Sequence, residues 1–491
     1  MRGSPVMAIK RRNRKQVSTP STLSYPVRVR DLVHGYVYLT DLEVRVINHP
    51  LFQRLRHIRQ NDVASYVYPS LNISRFEHSL GCTHVAGKMA ANLTRSPEWS
   101  AYQRALDLDT DEFEQTCRLY ALLHDVGHLP LSHIFEMAFE DYAHATRPGI
   151  SLVSLCCEWF GGSGFTKLHE ACGSALASTI LKDTQVPLSI GGVVLHLMTS
   201  KTLHSTHPHR PIKQLVDSEV DADRIDSTAR DGLLAGGEYG SYDIERLCSS
   251  VFVQRYDKGW RLAYSHKALG SIEALLLDRC RTHTWIHFHH RVVAMKAAAC
   301  ILIGRLLNEA VITSDSFPVK KSKVMCLRDD IWLWSLLREM EPRDDPAVNA
   351  ARDALLYRDK SVVTLLWKNR SVYRLLQEDL RRSAELREEK LNNQQLGRDY
   401  ERKLTRMLGN RTLAFWLKFQ PVGDHVVPLT GEDGQAEVGE LGRASALVGL
   451  LEKVWEKEPQ YYVIILGKPR KNLDMLRQTW IETTTEWIRR S

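Results

Sequence analysis

The 491-residue sequence lacks any long uncharged apolar run, and this excludes a membrane-spanning helix, which needs about 20 such residues. No apolar stretch follows its basic N-terminus, so we predict no secretory signal. Its nine cysteines include no Cys-x-x-Cys pair, which argues against a disulfide framework and against a cysteine-only zinc site. We therefore expect a soluble, cytoplasmic protein with core thiols and no membrane partner.

Acidic residues are missing from the first 30 positions, which carry eight lysines and arginines. The whole chain has 66 basic and 58 acidic residues, so removing these eight leaves the rest balanced at 58 against 58. The excess charge sits in a Ser-, Thr- and Pro-rich arm, residues 1–28, which we predict to be disordered. Such an arm could contact single-stranded nucleic acid through phosphates, and a solvated tail explains it equally well.

The composition, 43% hydrophobic and 25% charged, is typical of a globular protein, and the length favours one large domain with appendages or two domains. Apolar residues recur at helical spacing over 29–311 and resume after a Ser-, Pro- and Lys-rich break at 312–325. Five glycines and two prolines in 421–442 predict an exposed loop, and 461–466 predicts a strand. The expected fold is mainly α, with a C-terminal helical region, 312–491, that contains a small α+β portion.

The segment richest in candidate catalytic side chains has three histidines within ten residues, beside an aspartate. The adjacent His124 and Asp125 offer one nitrogen and one oxygen ligand, and both reach one metal if the helix ends there, as Gly127 and Pro130 indicate. With 20 histidines in the chain, a His-Asp pair is expected about once by chance. The pair therefore needs support from elsewhere in the sequence.

Two further segments supply matching ligands. Ser74 and Glu77 have capping-box spacing, and His78 lies on the inward face of the helix that they begin, where a lone histidine is more often structural than a ligand. The acid-rich stretch 221–231 contains Asp223, and a solvated acidic helix is its plain alternative. In chain order the complete set is His78, His124, Asp125 and Asp223. This mixed nitrogen and oxygen set suits Mn²⁺, Fe²⁺, Co²⁺, Ni²⁺ or Zn²⁺.

The order of these residues resembles the metal set of HD-domain metallophosphohydrolases, which implies a helical HD domain over 29–311. Longer matches resemble the deoxynucleotide triphosphohydrolase branch, which includes bacterial dGTPases and the SAM-and-HD-domain dNTPase of animals. The matching segments are Asp31-Leu-Val-His-Gly35, Phe52-Gln-Arg-Leu-Arg56, Arg75-Phe-Glu-His-Ser-Leu-Gly81, His124-Asp-Val-Gly-His128, Asp221-Ala-Asp-Arg-Ile-Asp226, Tyr239-Gly-Ser-Tyr-Asp243 and Asp330-Ile-Trp332.

The resemblance implies hydrolysis of a (deoxy)nucleoside triphosphate to a nucleoside and inorganic triphosphate, by water attack at the α-phosphorus. It implies a divalent metal cofactor (Mn, Fe, Co, Ni, Zn or Mg) on the four ligands above, and we also expect a homo-oligomer. The catalytic residues that it implies are His128, His133 and His169, with Glu136 paired to His169 as a general-acid dyad. The substrate contacts that it implies are Arg75, Arg224 and Arg279 to phosphate, Gln60 and Asp231 to the sugar 3′-hydroxyl, and the positions of Ser227 and His287 around the sugar. His283 lies in a histidine-rich segment with His287, which we interpret as a remodelled substrate wall.

Three positions depart from the family pattern. Ser227 and His287 stand where the family usually has tyrosine, and Gln60-Asn-Asp62 replaces the usual Gln-Leu-Gly. All three positions border the sugar and base in the family, so we expect intact chemistry and altered specificity.

Two other function classes stay open. One is a phosphodiesterase or nuclease acting on single-stranded nucleic acid, because the same metal cage can open a phosphodiester bond and the basic arm mildly favours such a substrate. The other is a nucleotide-sensing subunit of a larger assembly, for example in defence, supported only by the unmatched tail at 340–491. The complete metal set and the dyad argue against the sensing role. Incubation with mixed dNTPs and with labelled single-stranded DNA separates all three.

Overall fold

The computed structural model describes residues 21–147, 149–162, 164–383, 394–416, 427–431, 437–455 and 461–490. Most of the arm predicted for 1–28 lies outside the described residues, and so does part of the loop predicted for 421–442. Helices dominate what is described, which confirms the mainly-α prediction. Among the helices of these ranges, none has both the length and the apolar character needed to cross a membrane.

The described residues form 22 α-helices and nine strands. The helices are α1 Asp41–Ile47, α2 Pro50–Gln53, α3 Arg75–Leu93, α4 Trp99–Leu106, α5 Thr110–Leu123, α6 His133–Thr146, α7 Leu152–Phe160, α8 Leu168–Asp183, α9 Leu188–Thr199, α10 Arg210–Gln214, α11 Ala222–Ala235, α12 Ile244–Ser249, α13 Leu269–Thr282, α14 His290–Asn308, α15 Ser322–Met325, α16 Asp330–Glu339, α17 Pro346–Leu356, α18 Arg370–Ser383, α19 Gln394–Leu408, α20 Leu441–Ala444, α21 Ala446–Trp455 and α22 Leu473–Arg490. The strands are β1 Val27–Asp31, β2 Gly35–Leu39, β3 Val251–Tyr256, β4 Gly259–Ser265, β5 Val363–Leu365, β6 Thr412–Trp416, β7 Pro428–Thr430, β8 Glu437–Glu440 and β9 Tyr461–Leu466. A π-helical turn, His283–His287, joins α13 to α14.

Local capping signals set the helices that carry the site. The side chain of Asp109 accepts a hydrogen bond from the backbone N–H of Glu112 at 2.8 Å. The side chain of Glu112 accepts one from the backbone N–H of Asp109 at 3.1 Å, so α5 begins with a capping box. At the start of α3 the backbone N–H of Ser74 donates to Glu77 at 3.0 Å. These contacts set where α3 and α5 begin. His78 lies in the first turn of α3, whereas His124 and Asp125 follow the opposite end of α5.

Three small sheets accompany the helices. β1 and β2 form an antiparallel hairpin, β4 lies between β3 and β7 with β8 beyond, and β9 lies between β5 and β6. The loop prediction for 421–442 was wrong in its described part, because β7 is buried and pairs in parallel with β4. A glycine-rich composition predicts exposure, and pairing with a strand some 160 residues away overrides it.

One large core joins described residues between Val37 and Leu355 with part of the C-terminal segment. Its central helix, α3, packs against α5 and α11, while α6 packs against α14 and α9 against α5. A second core forms around β9 and α22 and contains Trp367, Tyr400 and Trp480. α14 contributes to both cores, through Val293 and Ala297 to the second and through Leu302 to the first. All nine cysteines are free thiols, and five of them are buried.

Candidate active site

The four predicted metal ligands converge from α3, the end of α5 and the start of α11. α5 ends at Leu123, so His124 and Asp125 lie in the turn that follows it. Nε2 of His78 lies 3.0 Å from Oδ1 of Asp223 and 3.7 Å from Oδ2 of Asp125. Nε2 of His124 lies 3.5 Å from Oδ1 of Asp125. Residues that are about 100 positions apart in the sequence therefore share one cage.

The donor set of this cage fits a divalent metal ion. Nδ1 of His124 lies 2.7 Å from the carbonyl oxygen of Ala121, where it can only donate, so the lone pair is on Nε2. That Nε2 is buried and has no hydrogen-bond partner. Burial opposes ionisation of Asp125, but Arg75 beside it and the neighbouring histidines hold its pKa well below the usual range. Two carboxylates and two imidazoles suit a transition metal ion.

Cys82 lies one turn after His78 and was not predicted as part of the site. Its Sγ is 3.5 Å from Nε2 and 3.6 Å from Nδ1 of His78, so the sulfur does not lie along the Nε2 lone pair. The sulfur nevertheless belongs to one group of possible metal-ligating atoms with His78, His124 and Asp223, all within 4.8 Å of one another. Burial raises the pKa of this thiol and so opposes its ionisation.

Asp226 fixes the orientation of His78. Its buried carboxylate accepts from Nδ1 of His78 at 2.8 Å, from Nε2 of His34 at 2.7 Å and from Arg230 at 2.7 and 2.9 Å. A carboxylate on Nδ1 leaves Nε2 free to face a metal ion. A Cβ at position 81 would lie 1.8 Å from Oδ1 of Asp226, so only glycine fits there. The motifs around Gly81 and Asp226 did not indicate this role in the sequence, although Asp226 follows Asp223 by about one helical turn.

The predicted acid dyad is present as a contact. Nδ1 of His169 lies 2.6 Å from Oε1 of Glu136, and Nδ1 of His133 lies 3.0 Å from its Oε2. The ring of His128 stacks on that of His169 with centroids 4.2 Å apart, and its Nε2 lies 3.2 Å from Asp125. Burial alone would lower the pKa of His169, but the charge and hydrogen bond of Glu136 raise it. His169 therefore keeps its proton to higher pH than a free histidine.

The turn between α5 and α6 is held from both sides by motifs that lie elsewhere in the sequence. The buried Arg54 donates to the carbonyl oxygens of Val126 and His128, both at 2.8 Å. Asp330 accepts from the backbone N–H of Leu131 at 2.8 Å, and burial raises its pKa to about 7. Leu131 and Ser132 have positive φ angles of 54° and 48°, which are costly for residues other than glycine. The hydrogen bonds from Arg54 and to Asp330 help to hold this backbone conformation.

One face of α11 continues the site away from the metal ligands. Asp223, Ser227 and Asp231 recur every four residues and therefore share that face. Asp231 accepts from Nδ2 of Asn61 at 2.6 Å and from Nε2 of His287 at 3.1 Å. Two of the three departures from the family pattern thus contact the same carboxylate. The neighbouring Gln60 has a buried Oε1 without a hydrogen-bond partner.

The arginines predicted to contact phosphate are held by polar groups. Arg75 donates to Asp125 and, at 2.8 Å, to Oγ of Ser132. Arg224 donates to Glu219 at 2.6 Å. These contacts orient two guanidinium groups beside the metal ligands.

Arg279 lies close enough to Arg224 for the two charges to interact. Burial, followed by repulsion from Arg224, lowers the pKa of Arg279 to about 10. Burial, then the charges of His287 and Arg279, hold the pKa of His283 well below its usual range. The ring of His283 lies 5.0 Å from that of His287. The structure thus brings together the predicted residues of α11, α13 and the π-helical turn.

Comparison with known proteins agrees with this site. A family model described as HD domain matches residues 75–231. An uncharacterized protein of Methanocaldococcus jannaschii is 28% identical over 64% of this chain and 55% of its own length. The human deoxynucleoside triphosphate triphosphohydrolase SAMHD1 is 26% identical over 67% of this chain and 52% of its own length. The chain therefore spans about half the length of these relatives.

A solved structure shares the fold over almost its whole length. A phosphohydrolase from Bacteroides thetaiotaomicron, 20% identical, has a TM-score of 0.61 and covers 90% of this chain and 99% of its own. That extent includes much of residues 340–491, which the sequence motifs did not reach. Together with the family match over residues 75–231, which include the metal and dyad residues, these findings confirm the resemblance seen in the sequence: residues 75–231 match the HD domain.

Proposed function

We propose that the chain is a metal-dependent phosphohydrolase that converts (deoxy)nucleoside triphosphates to a nucleoside and inorganic triphosphate. The observation that carries the proposal is the junction of the two clusters through His128. This residue contacts the ligand Asp125 on one side and the His169–Glu136 pair on the other. A metal site can activate the attacking water, and a protonated histidine beside it can supply the proton that the leaving oxygen needs. The name of the human relative supports a deoxynucleoside triphosphate as substrate.

In this mechanism, water adds to the α-phosphorus and the bond from phosphorus to the 5′-oxygen breaks. A divalent ion on His78, His124, Asp125 and Asp223, when bound, lowers the pKa of water and polarises the phosphoryl group. His169 holds the proton that the leaving oxygen needs, and Glu136 keeps that proton in place. Arg224 and Arg279, whose charges interact, are suited to phosphate oxygens because a guanidinium offers a fork of donors.

A product analysis tests the proposal. The full chain is incubated with each dNTP and Mn²⁺, and separately with labelled single-stranded DNA, and products are separated by ion-exchange chromatography. We expect a nucleoside and inorganic triphosphate, and neither product with Asp223→Ala. Release of a nucleoside monophosphate with pyrophosphate, or cleavage of the DNA alone, would replace the proposal with a different phosphohydrolase activity.

A further inference from the structure

A second histidine cluster lies apart from the active site, between the end of α9 and the start of α10. It consists of His196, in the last turn of α9, and His207 and His209, which flank Pro208. One nitrogen from each of the three rings lies within 4.8 Å of the others, and the group contains no carboxylate. None of these residues belongs to the motifs that resemble the family.

The spacing of the three rings is that of ligands around one ion. A tetrahedral metal with bonds of about 2.0–2.1 Å to imidazole separates the bound nitrogens by roughly 3.3 Å and the ring centres by roughly 5 Å. Nε2 of His196 lies 3.3 Å from Nε2 of His207. The ring centroids are 4.9 Å apart for His196 and His207, 5.1 Å for His207 and His209, and 5.9 Å for His196 and His209.

One ring nitrogen of the cluster lacks a hydrogen-bond partner among the described residues of the protein. Nδ1 of His209 is buried and has no hydrogen-bond partner. A neutral imidazole nitrogen without a hydrogen-bond partner can offer its lone pair to a metal ion.

We propose that His196, His207 and His209 form a second metal site that takes a zinc-like ion and ties α9 to the segment before α10. Three imidazoles without a carboxylate select Zn²⁺, Co²⁺, Ni²⁺ or Cu²⁺ over Mg²⁺ and Ca²⁺. The site lies at the C-terminal end of α9, where the helix dipole also favours a cation. The same segment is anchored on its other side, where Tyr102 donates to the carbonyl oxygen of Pro208 at 3.1 Å.

Metal binding changes one hydrogen bond within the cluster. Nδ1 of His207 accepts from the backbone N–H of His209 at 3.1 Å, so in the neutral ring the proton is on Nε2. Binding through Nε2 moves that proton to Nδ1 and breaks this bond, while three bonds to the metal form. Without metal, the 3.3 Å contact between His196 and His207 is a hydrogen bond between two rings. The two possibilities, a zinc site and a metal-free hydrogen bond between His196 and His207, differ in whether the cluster binds zinc.

Zinc content of the full chain distinguishes them. In a His124→Ala/Asp125→Asn background, which removes the first cage, the stripped protein is dialysed against micromolar Zn²⁺ and its metal content is measured. We expect one zinc per chain, lost on His207→Ala or His209→Ala. The matched control is His204→Ala, in the same loop and outside the cluster, which keeps the zinc. Co²⁺ in the same background should give the intense visible bands of a tetrahedral site.

Retention of zinc by all three cluster variants, or its binding only at millimolar concentration, would overturn the proposal. If a loop variant loses its helical circular dichroism, His196→Ala provides the same comparison from within a helix. Variants of the cluster in the otherwise unchanged chain should hydrolyse substrate normally. Loss of the proposed hydrolase activity would therefore leave the zinc result interpretable, because each site is measured in the absence of the other.

Discussion

The carboxylate of Asp226 touches no substrate, yet it determines which nitrogen of His78 faces the cage. Asp226→Asn should weaken Mn²⁺ binding by roughly 10–100-fold with the helical fold retained, because the charge that orients the imidazole is lost. Isothermal titration calorimetry on the stripped protein measures this. The matched control is Glu43→Gln, which breaks a similarly buried pair with Arg118, at 2.7 and 2.9 Å, away from the metal ligands. Equal affinity losses in both variants would mean that Asp226 acts only through stability.

Substitution of any one of the proposed metal ligands should have the same effect on activity and metal content. His124→Ala, Asp125→Asn and Asp223→Ala are each expected to abolish turnover and bound metal while circular dichroism stays unchanged, since they remove ligands and little packing. Metal analysis of the purified variants is the measurement. Full metal content in Asp223→Ala would remove that residue from the cage.

If His169 is the general acid, the pH dependence of kcat should depend on its pKa. His169→Ala should lower kcat by roughly 10²–10⁴-fold with bound metal retained. The acid acts only when protonated, and Glu136 raises its pKa, so kcat should fall as pH rises through that raised pKa. Glu136→Gln removes the cause of the upward shift, so the fall should begin at lower pH. A profile that is identical in Glu136→Gln would show that the pair does not set the active proton.

The sugar end of the site should select deoxyribose loosely. Ser227 leaves space where the family has a tyrosine, and His287 with Asn61 presents hydrogen-bonding groups around Asp231. A pocket that rejects a hydroxyl only by crowding discriminates by roughly 10²-fold, and this one should do less. The measurement is kcat/KM for each dNTP and its ribonucleotide, with Ser227→Tyr and His287→Tyr expected to raise the ratio. Rejection of ribonucleotides by wild type at roughly 10⁴-fold would contradict this.

Residue types and their order predicted the set of His78, His124, Asp125 and Asp223, because side-chain chemistry is visible in a sequence, and the fold places these side chains close together. The supporting contacts were not visible in the same way. Arg54 holds the carbonyl oxygens of a turn 72 residues away, and Asp330 holds a backbone N–H 199 residues away. Only the folded chain reveals such partners, although the motifs around both residues were noted in the sequence.

Helix α8 lies close to the turn between α5 and α6. A Cβ on Gly127 would lie 2.1 Å from the carbonyl oxygen of His169 and 2.1 Å from the backbone nitrogen of Gly173, and neither can move easily. Gly127→Ala should therefore destabilise the fold by about 1–3 kcal/mol and displace His169. Gly304→Ala, in α14 with open space around it, should stabilise by about 0.5–1 kcal/mol. Urea unfolding measures both, and equal stability of the two variants would contradict the close approach.

Helices were easier to predict than strands. The capping boxes of α3 and α5 lie within four residues of sequence, so they could be recognised directly. The hairpin of β1 and β2 was missed although Val-Arg-Val-Arg and Tyr-Val-Tyr-Leu both alternate. β7 could not have been found, because its partner β4 is distant in the sequence and its own three residues carry no pattern.

Across the whole molecule, α14 joins the two hydrophobic cores. Because one helix packs in both, we expect the cores to unfold together. Urea unfolding followed by far-ultraviolet circular dichroism and by tryptophan fluorescence, which reports on Trp367 and Trp480 among others, should give coincident transitions. Two separated transitions would show that the C-terminal core is an independent unit.

The π-helical turn at His283–His287 has a consequence for the length of the chain. Phe288 bonds back to the carbonyl oxygen of His283 at 2.9 Å, five residues earlier, so this turn holds one residue more than an α-helical turn. Deleting Thr284 would restore regular spacing and swing the preceding or following residues around the axis by about 100°. His283 and His287 could then no longer both face the pocket while α14 keeps its place between the cores. The additional residue is a spacer between the proposed substrate wall and a structural helix, so we expect homologous chains that differ in length by one residue here to differ in specificity.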